Sequence, residues 1–434
     1  MAQLIPFRAV HFNPSVVGDD LGDLIAPPYD VVDAVEGKRL LDRHPYNAVR
    51  LELTIPAPGD LDSRRYAEAA RLWTAWRGTG VLVKDERQGL YLYEHEFDHD
   101  GNRLVRTAVV GRLRLAVPAE EEQATGTWGV TGVIPHEETL SQPREDRLRL
   151  LVCTCGAQFS PILAVYEDGD GAVSSVLQAV RNSASPDLRA VTEGEVLRVW
   201  GITHPDAVER IVRAMAAEPV VIADGHHRCE SMRRFAFHIG RPEHCTIMTA
   251  LVSARDPGVV VLPTHRIVSG WPPDAIARIL GRIGREFAVV GAAPLAPVAT
   301  LAEARTWWTR LSPLVGFRDG STSLVAVTRE EAWVLSYPGE TAEALRSLDM
   351  ILEEVGSSLR SIAPDPACTV AYTRDAPAEL EGIASGRVQI AFFPPAVPVS
   401  DVLSKAREGY LFPRKTTYFQ PKVPAGLLMC EVMS

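Results

Sequence analysis

The chain has little of several features that mark particular protein classes. It contains six cysteines in 434 residues, too few for a disulfide framework to stabilise the fold. No apolar run approaches the length of about 18 residues that a membrane-spanning helix needs. The N-terminus, residues 1–8, lacks the cationic region and apolar run of a signal peptide. These absences predict a protein of the reducing cytoplasm.

Positive charge is also scarce. Lys and Arg number 45 against 55 Asp and Glu, which gives a net charge of -10. Proteins that bind nucleic acid or anionic membranes through charge need a broad basic surface. We therefore expect no nucleic-acid partner and no membrane partner, although a local basic pocket remains open. The length predicts two or three domains.

Periodicity and turn residues locate the expected elements. Aromatic and small apolar residues at three- and four-residue spacing predict a helix over 63–76, and Ser400 is expected to cap a short helix that ends near Gly409. Apolar stretches predict strands at 90–97 and 104–117, joined by a hairpin loop at 98–102, and a second hairpin of strands 324–328 and 332–336. Further strands are predicted at 159–167, 219–223, 246–252, 259–262 and 388–393. Interleaved helices and strands indicate an α/β or α+β fold. The turn-rich run 270–274 predicts a boundary between residues 1–270 and a smaller α+β domain over 271–434.

The segment with the clearest chemistry is 220–230. An apolar strand ends at Asp224-Gly225, and a helix follows whose first turn holds His226, His227 and Arg228. Glycine permits a positive φ or close approach of a ligand to the backbone. Free amides, the helix dipole and a forked Arg donor favour an anion. The pattern predicts a phosphate cradle, and the alternative is a tight turn with surface histidines.

A second segment with candidate chemistry is Pro135-His-Glu-Glu-Thr139. Glu137 or Glu138, next to His136, has the chemistry of a general base. The alternative is the solvated first turn of a helix. The residue types alone leave both readings open.

Two further segments carry weaker signals. His265 and Arg266 follow an apolar strand, which predicts a strand end beside the 224–228 turn and contact with a carboxylate or phosphate of the substrate. An ordinary loop is the alternative. Residues 27–30 favour a rigid turn over a site, although Tyr29 or Asp30 could line a pocket. No zinc-binding spacing and no Walker motif occurs, so no metal site made by protein ligands is predicted.

The order of these motifs resembles the ParB/sulfiredoxin-like fold, particularly its free-serine kinases. The resemblance rests on His136-Glu137, a helix with Leu148 and Leu150, the strand opening Ser160-Pro-Ile162, and the box Asp224-Gly-His-His-Arg228. It covers about 130–240, with an extra stretch at about 168–218. Within residues 1–270, the remainder is an N-terminal elaboration of this module.

The box departs from two of these relatives. Sulfiredoxin has Cys where His226 stands, so its sulfinic-acid chemistry cannot run at this position. ParB proteins carry Gly-Glu-Arg-Arg there and add a helix-turn-helix DNA reader, for which we find no basic recognition helix. The kinase box is the closest match.

The kinase resemblance implies roles for the motif residues. Glu137 would deprotonate a substrate hydroxyl, and the box would hold the nucleotide phosphates or the transferring group. The implied catalytic residues are Glu137, Asp224 and His227. The implied phosphate-binding residues are Gly225, His226, Arg228 and His136. The candidate substrate-binding residues are His265, Arg266 and Glu138.

The expected activity is a nucleotide-dependent kinase that phosphorylates the hydroxyl of a small molecule, a free amino acid such as serine. ATP or ADP would be the donor, with Mg²⁺ bridging its phosphates. The alternative is a non-catalytic nucleotide- or ligand-binding regulatory protein of ParB-like fold. A scaffold whose motifs only stabilise turns is a third reading, and it predicts no nucleotide binding.

The whole chain is also similar to a bacterial family known as domain-of-unknown-function family 1015. The similarity is nearly end to end and supplies no activity by itself. Besides the two motif segments, the matching stretches are 26–31, 46–51, 262–266 and 412–422.

Overall fold

The computed structural model describes residues 2–52, 62–116, 132–137, 139–294, 300–362, 369–413 and 415–433. Two compact units divide the chain. Unit 1 comprises Met1–Val260, Lys405–Gly409 and Pro421–Ser434, and unit 2 comprises Val261–Ser404 and Tyr410–Gln420. The chain thus passes into unit 2 after Val260, upstream of the boundary expected near 270, and its C-terminal segment belongs to unit 1.

Strands and helices alternate along both units. The strands are β1 (Leu4–Ile5), β2 (Val10–Phe12), β3 (Leu82–Lys84), β4 (Leu90–His99), β5 (Asn102–Arg114), β6 (Val133–Ile134), β7 (Ala157–Gln158), β8 (Ile162–Tyr166), β9 (Leu188–Thr192), β10 (Glu195–Ile202), β11 (Val220–Asp224), β12 (Thr246–Ser253), β13 (Val260–Leu262), β14 (His265–Ser269), β15 (Ala288–Pro294), β16 (Gly316–Arg318), β17 (Ser321–Thr328), β18 (Glu331–Tyr337), β19 (Thr369–Thr373), β20 (Ile390–Phe393), β21 (Tyr418–Gln420) and β22 (Cys430–Glu431). The α-helices are α1 (Pro14–Val17), α2 (Ala34–Arg43), α3 (Val49–Glu52), α4 (Asp62–Gly78), α5 (Ser141–Cys153), α6 (Ala172–Ser183), α7 (Pro205–Met215), α8 (His226–His238), α9 (Pro273–Glu286), α10 (Leu301–Leu311), α11 (Thr341–Ile362), α12 (Ala376–Ala384) and α13 (Val399–Arg407). Among the described helices, none combines the length and apolar character that crossing a membrane requires.

Unit 1 is built on a mixed sheet with the strand order β6-β11-β8-β12-β5-β4-β10-β9, and β1 pairs with β5. The pairs β6–β11 and β8–β12 are parallel, whereas β8–β11 and β4–β5 are antiparallel. The turn of the β4–β5 hairpin has positive φ at Asp100 (48°) and Gly101 (77°), which matches the twist of a hairpin. The hairpin predicted around 98–102 is confirmed.

One face of the unit 1 sheet is covered by helices. Ile162, Ala164 and Ile222 point from the sheet into an apolar core that includes Met232 and Phe235 of α8. The predicted helix over 63–76 lies within α4, and its regularly spaced aromatic and alanine side chains are buried: Tyr66, Ala69, Trp73 and Trp76. Periodicity therefore identified this helix and its buried face correctly.

Unit 2 contains a second sheet with the order β15-β18-β17-β20-β14-β19, and β16 pairs with β17. Two adjacent residues of β14 pack into different cores. Val268 packs on the side of α9 and α11, and Ile267 packs on the side of α10 and α12. This alternation is the period of two that a strand buried on both faces requires. Both units therefore have mixed α/β structure, as the sequence predicted.

The expectation that Ser400 caps a helix is wrong. Helix α13 begins at Val399, so Ser400 lies within its first turn. The carbonyl of Pro398 accepts from the amides of Asp401 (3.0 Å) and Val402 (3.1 Å), which starts the helix before the serine. The Ser400 hydroxyl instead donates to Asp401 Oδ1 at 3.0 Å.

Candidate active site

The strand–turn–helix at 220–238 forms as the sequence predicts. Gly225 separates β11 from α8 with φ 98°, a left-handed conformation that favours glycine. A Cβ at this position would lie 2.5 Å from Ile162 Cγ2 and 3.0 Å from Arg228 Nη2. Glycine is therefore required both by the backbone conformation and by the close approach of the neighbouring strand.

The first turn of α8 presents backbone donors ahead of the helical hydrogen bonds. The amide of Cys229 donates to Gly225 O at 3.1 Å, which is the first i→i−4 bond. The amides of residues 226–228 precede it, and no side chain caps the helix at Gly225. The positive end of the helix dipole coincides with these donors.

Asp224, at the end of β11, is held by two cations. Arg228 Nη2 donates to Asp224 Oδ2 at 2.9 Å, and Lys422 Nζ donates to Asp224 Oδ1. Burial alone would raise the pKa of Asp224, but Lys422 and Arg228 hold it well below its usual range. The carboxylate is therefore ionised at neutral pH, at the start of the helix.

Arg228 also ties the turn to the beginning of β8. Its Nη1 donates to Ser160 Oγ at 2.8 Å and to Pro161 O at 2.9 Å. The Ser160 hydroxyl in turn donates to Glu52 Oε1 at 3.1 Å. Arg228 is 9% exposed, so its guanidinium links Asp224, the start of β8 and the Glu52 region inside the protein.

The segment 26–30 also reaches this cluster. The guanidinium of Arg147 lies over the ring of Tyr29, 3.9 Å from its centroid, and Arg147 Nη1 donates to Glu52 O at 2.9 Å. Exclusion of solvent by the surrounding protein atoms and the charge of Asp224 raise the pKa of Asp30. The charges of Lys422 and Arg228 oppose this rise. Because Asp30 is exposed to solvent, the like charge of Asp224 is the main cause of this rise.

The two histidines of the box accept hydrogen bonds from the backbone of the Pro-His-Glu segment. The amide of His136 donates to His226 Nε2 at 3.3 Å, and the amide of Leu140 donates to His227 Nε2 at 2.8 Å. An imidazole nitrogen accepts only when it is unprotonated. These bonds need neutral histidines and fasten His136 and Leu140 to the first turn of α8.

The His136 ring is itself buried beside the box. It lies 4.7 Å from the ring of His226, and its Nδ1 donates to Ile222 O at 2.5 Å. Burial lowers the pKa of His136 to about 4, against the effect of the Ile222 carbonyl. Burial and the neighbouring His136 also lower the pKa of His226 well below its usual value. Both rings are therefore neutral at physiological pH.

Glu137 is brought to the level of Asp224 by strand pairing. In the parallel β6–β11 pair, Val133 faces Val220 and Ile134 faces Val221. Glu137 lies three residues after Ile134, and Asp224 lies three residues after Val221. Glu137 is half-buried, and Glu138 lies outside the described residues. The structure thus brings together the Pro-His-Glu segment and the box.

A family model described as "Protein of unknown function (DUF1015)" matches residues 4–351. The chain belongs to this family. A search of curated proteins gave no match.

Solved structures similar to this DUF1015 protein include a free serine kinase in complex with AMP, at 14% identity and a TM-score of 0.37, covering 68% of this chain and 88% of that chain. A conserved hypothetical protein from Pyrococcus furiosus has 14% identity and a TM-score of 0.35, with 68% and 92% covered. A C-terminally truncated SbnI from Staphylococcus aureus has 10% identity and a TM-score of 0.33, with 68% and 84% covered.

His265 and Arg266, the candidate substrate-binding residues, belong to unit 2 of the DUF1015 protein. Arg266 is fully buried and donates to both carboxylate oxygens of Asp349, at 2.9 and 2.7 Å. The His265 ring packs against Trp308 and Phe393, with centroids 5.6 and 5.0 Å away. Burial lowers the pKa of His265 to about 3. These contacts are structural, and substrate binding by the two residues stays a prediction.

The DUF1015 protein also has a small cavity beside the cluster. Its volume is about 40 Å³, and its polar lining comes from Glu52, Arg147, Ser160 and Arg228 together with Gln158. A water molecule occupies about 30 Å³ of liquid volume, so this cavity is too small for a nucleotide. Among the described residues, no group of three or more His, Cys, Asp or Glu side chains is placed to hold a metal ion.

Sequence reasoning missed Lys422 and, at Asp30, favoured a rigid turn over a residue that lines a pocket. The pKa shift of Asp30 and the ion pair of Lys422 both involve Asp224. Each lies in a stretch that resembles the family, 26–31 and 412–422. The similarity of these two stretches to the family was therefore the available signal. It did not show that they contact the 224–228 turn.

Proposed function

We propose that this DUF1015 protein is a nucleotide-dependent kinase that phosphorylates the hydroxyl of a small molecule, with a free amino acid such as serine as the first acceptor to test. The observation that carries the proposal is the pair of hydrogen bonds from the amides of His136 and Leu140, on either side of Glu137 in the sequence, to His226 and His227 in the first turn of α8. Phosphoryl transfer requires mainly positioning and charge neutralisation. This arrangement supplies an anion-binding helix end and a carboxylate next to it.

In the proposal, the nucleotide phosphates accept hydrogen bonds from the amides of residues 226–228. Gly225, with φ 98°, turns the chain from β11 into the helix, so that these amides follow directly after the strand. Lys422 lies next to this end of the helix through its ion pair with Asp224. Arg228 orients Asp224 and contributes positive charge from within the protein.

The charges of the site favour a nucleotide that arrives with a cation. Asp30 and Asp224 are close enough for one to raise the pKa of the other, and Lys422 and Arg228 are already paired with Asp224, so a bare polyphosphate would find little uncompensated positive charge. Carboxylates and phosphates are the ligands that Mg²⁺ prefers. Asp30 and Asp224 are the residues that would hold it, and its chemistry is neutralisation of the phosphate charge. ATP or ADP is the donor in this proposal.

Glu137 is the proposed base that removes the proton from the acceptor hydroxyl. Its position is fixed from both sides, because His226 and His227 bind the backbone amides of His136 and Leu140. His227 and His226 are therefore positioning residues in this proposal. A base needs to reach the proton it removes, and these two bonds limit where the Glu137 carboxylate can be.

The test is Glu137→Gln with Glu138→Gln as the neighbouring control. Protein, Mg²⁺ and ATP or ADP are incubated with a panel of hydroxyl amino acids, and the phosphorylated product is followed by mass spectrometry. General-base catalysis contributes about 10²–10⁴-fold in rate, so Glu137→Gln should lose that factor while it binds nucleotide as the wild type does. If Glu137→Gln keeps its activity and Glu138→Gln loses it, the base is Glu138 and our assignment of Glu137 is wrong.

A regulatory nucleotide-binding protein is the second candidate function. Asp224, Arg228 and Lys422 neutralise one another, and the adjoining cavity is about 40 Å³. A site closed in this way would have to rearrange to admit a ligand, which is typical of a switch. Clear nucleotide binding with no product from any acceptor would favour this function over the kinase.

A further inference from the structure

A second, larger cavity lies at the other end of β8 within unit 1. Its volume is about 200 Å³, and Tyr166, the last residue of β8, is among its lining residues. The candidate active site contacts the chain just before the first residue of β8, through Ser160 and Pro161. Four residues of a strand span about 13 Å. The cavity is therefore separate from the Asp224 site.

Two carboxylates line this cavity. Glu94 is 4% exposed, and its Oε1 accepts from Arg181 Nη1 at 3.2 Å. The Asp256 carboxylate accepts from the amides of Thr107 (3.1 Å) and Gly258 (2.8 Å). A carboxylate offers about four lone-pair positions. Both groups therefore keep the capacity to accept further hydrogen bonds.

The electrostatics of the cavity favour a cation. Burial raises the pKa of Asp256, and the charge of Glu94 adds to the rise, against the opposing effects of two backbone amides and Arg106. Two carboxylates that share a site repel each other, and a positive charge between them relieves the repulsion. Arg181 and Arg198 supply part of that charge, 3.2 and 3.9 Å from the Glu94 carboxylate oxygens.

Tyr166 provides an independent sign of a ligand. Its side chain is 1% exposed, and in the part of the chain that the structure describes its hydroxyl has no hydrogen-bond partner. Burial raises the pKa of Tyr166, so the hydroxyl is un-ionised. The hydroxyl therefore keeps its hydrogen-bonding capacity for a molecule in the cavity, which Tyr166 lines.

We propose that this cavity binds a small primary amine, whose ammonium group donates to Glu94, Asp256 and the Tyr166 hydroxyl. A primary ammonium has three N–H donors and no acceptor, which matches three acceptors. A volume of about 200 Å³ equals about seven water molecules, so the ligand has about that many heavy atoms. Arg181 could also bind a carboxylate, and the experiment distinguishes a simple amine from an amino acid.

The test is calorimetric titration of the full chain at neutral pH without nucleotide. The probes are 1,4-diaminobutane, serine and, as an uncharged control, 1,4-butanediol. We expect the diamine to bind and the diol not to bind. Serine binding that Glu94→Gln weakens would identify an amino-acid site, because the proposed acceptor site for serine does not include Glu94. Diamine binding without such serine binding would identify a simple-amine site, and either result supports the ammonium assignment.

Three variants locate the binding. Loss of a charged hydrogen bond corresponds to about 10–100-fold weaker binding for Glu94→Gln and Asp256→Asn, and loss of a neutral one to about 2–10-fold for Tyr166→Phe. Glu209→Gln, on the exposed surface of α7, is the matched control and should bind as the wild type does. Thermal unfolding checks that each variant is folded. Absence of amine binding to the folded wild type, or equal binding by all variants, would overturn the proposal.

Discussion

Replacing Lys422 by methionine removes one of the two cations that hold Asp224. The side chains of Lys422 and Asp224 are each 12% exposed, so solvent screens their pair weakly. Methionine keeps most of the aliphatic length of lysine. Hydrogen bonds to charged groups contribute about 1.5–3 kcal/mol, and leaving a buried charge wholly unpaired costs about 3–5 kcal/mol. Because Arg228 still pairs with Asp224, we expect the free energy of unfolding to fall by about 1.5–3 kcal/mol.

The pH dependence of this loss follows from the lowered pKa of Asp224. A carboxyl whose pKa is lower in the folded state stabilises that state above the pKa of the unfolded chain, about 3.9 for Asp. The stabilisation is lost as pH falls from there through the folded pKa. Lys422→Met moves the folded pKa back towards its usual value. The variant should therefore differ most from wild type near pH 7 and progressively less below about pH 4.

Urea unfolding followed by circular dichroism at several pH values measures this difference. Because the chain has two units, the transition of unit 1 must be resolved before a free energy is assigned. Lys38→Met is the matched control, because Lys38 pairs with Asp42 on the exposed surface of α2, and it should leave the transition unchanged. Wild-type stability of Lys422→Met at pH 7, or a loss that does not shrink in acid, would refute this reasoning.

Three further predictions concern the same region and the charge of the chain. Gly225→Ala should destabilise unit 1 by about 1–3 kcal/mol through its positive φ, and by more than Gly101→Ala, because only at Gly225 does the added Cβ meet a neighbour; equal melting temperatures for the two variants would contradict this. The pKa of His136 is about 4, so its contribution to the free energy of unfolding should be lost as pH falls from about 6.5 to 4. An NMR titration of its ring centred near pH 6.5 would contradict its burial. A gel-shift titration at low salt should show no binding to duplex DNA, because the net charge is -10; salt-sensitive binding at micromolar protein would contradict this.

Local patterns sufficed for the elements that local physics controls. The helix over 63–76, the hairpin around 98–102 and the turn at Asp224-Gly225 were predictable because periodicity and glycine each act over a few residues. The hairpin of β17 and β18 was recognisable for the same reason, and its strands pair as expected. The cap at Ser400 failed because Pro398, two residues earlier, offered another start for the helix.

The partners within the site could not be predicted, because they depend on long-range contacts. Lys422 lies 198 residues from Asp224 in the chain, and no short pattern links them. The sequence favoured a rigid turn over a site at 27–30, yet Asp30 interacts with Asp224. Arg228 was predicted to hold phosphate from its place in the box alone, and its bonds to Ser160 and Pro161 became visible only once β8 and β11 were paired.

The most direct test of the central claim is a crystal structure of the full chain grown with ADP and Mg²⁺. The claim is that nucleotide phosphates bind at the first turn of α8. It predicts phosphate oxygens about 2.7–3.2 Å from the amide nitrogens of residues 226–228, next to Lys422. Nucleotide bound elsewhere, with the 224–228 turn and its ion pairs unchanged, would contradict the claim.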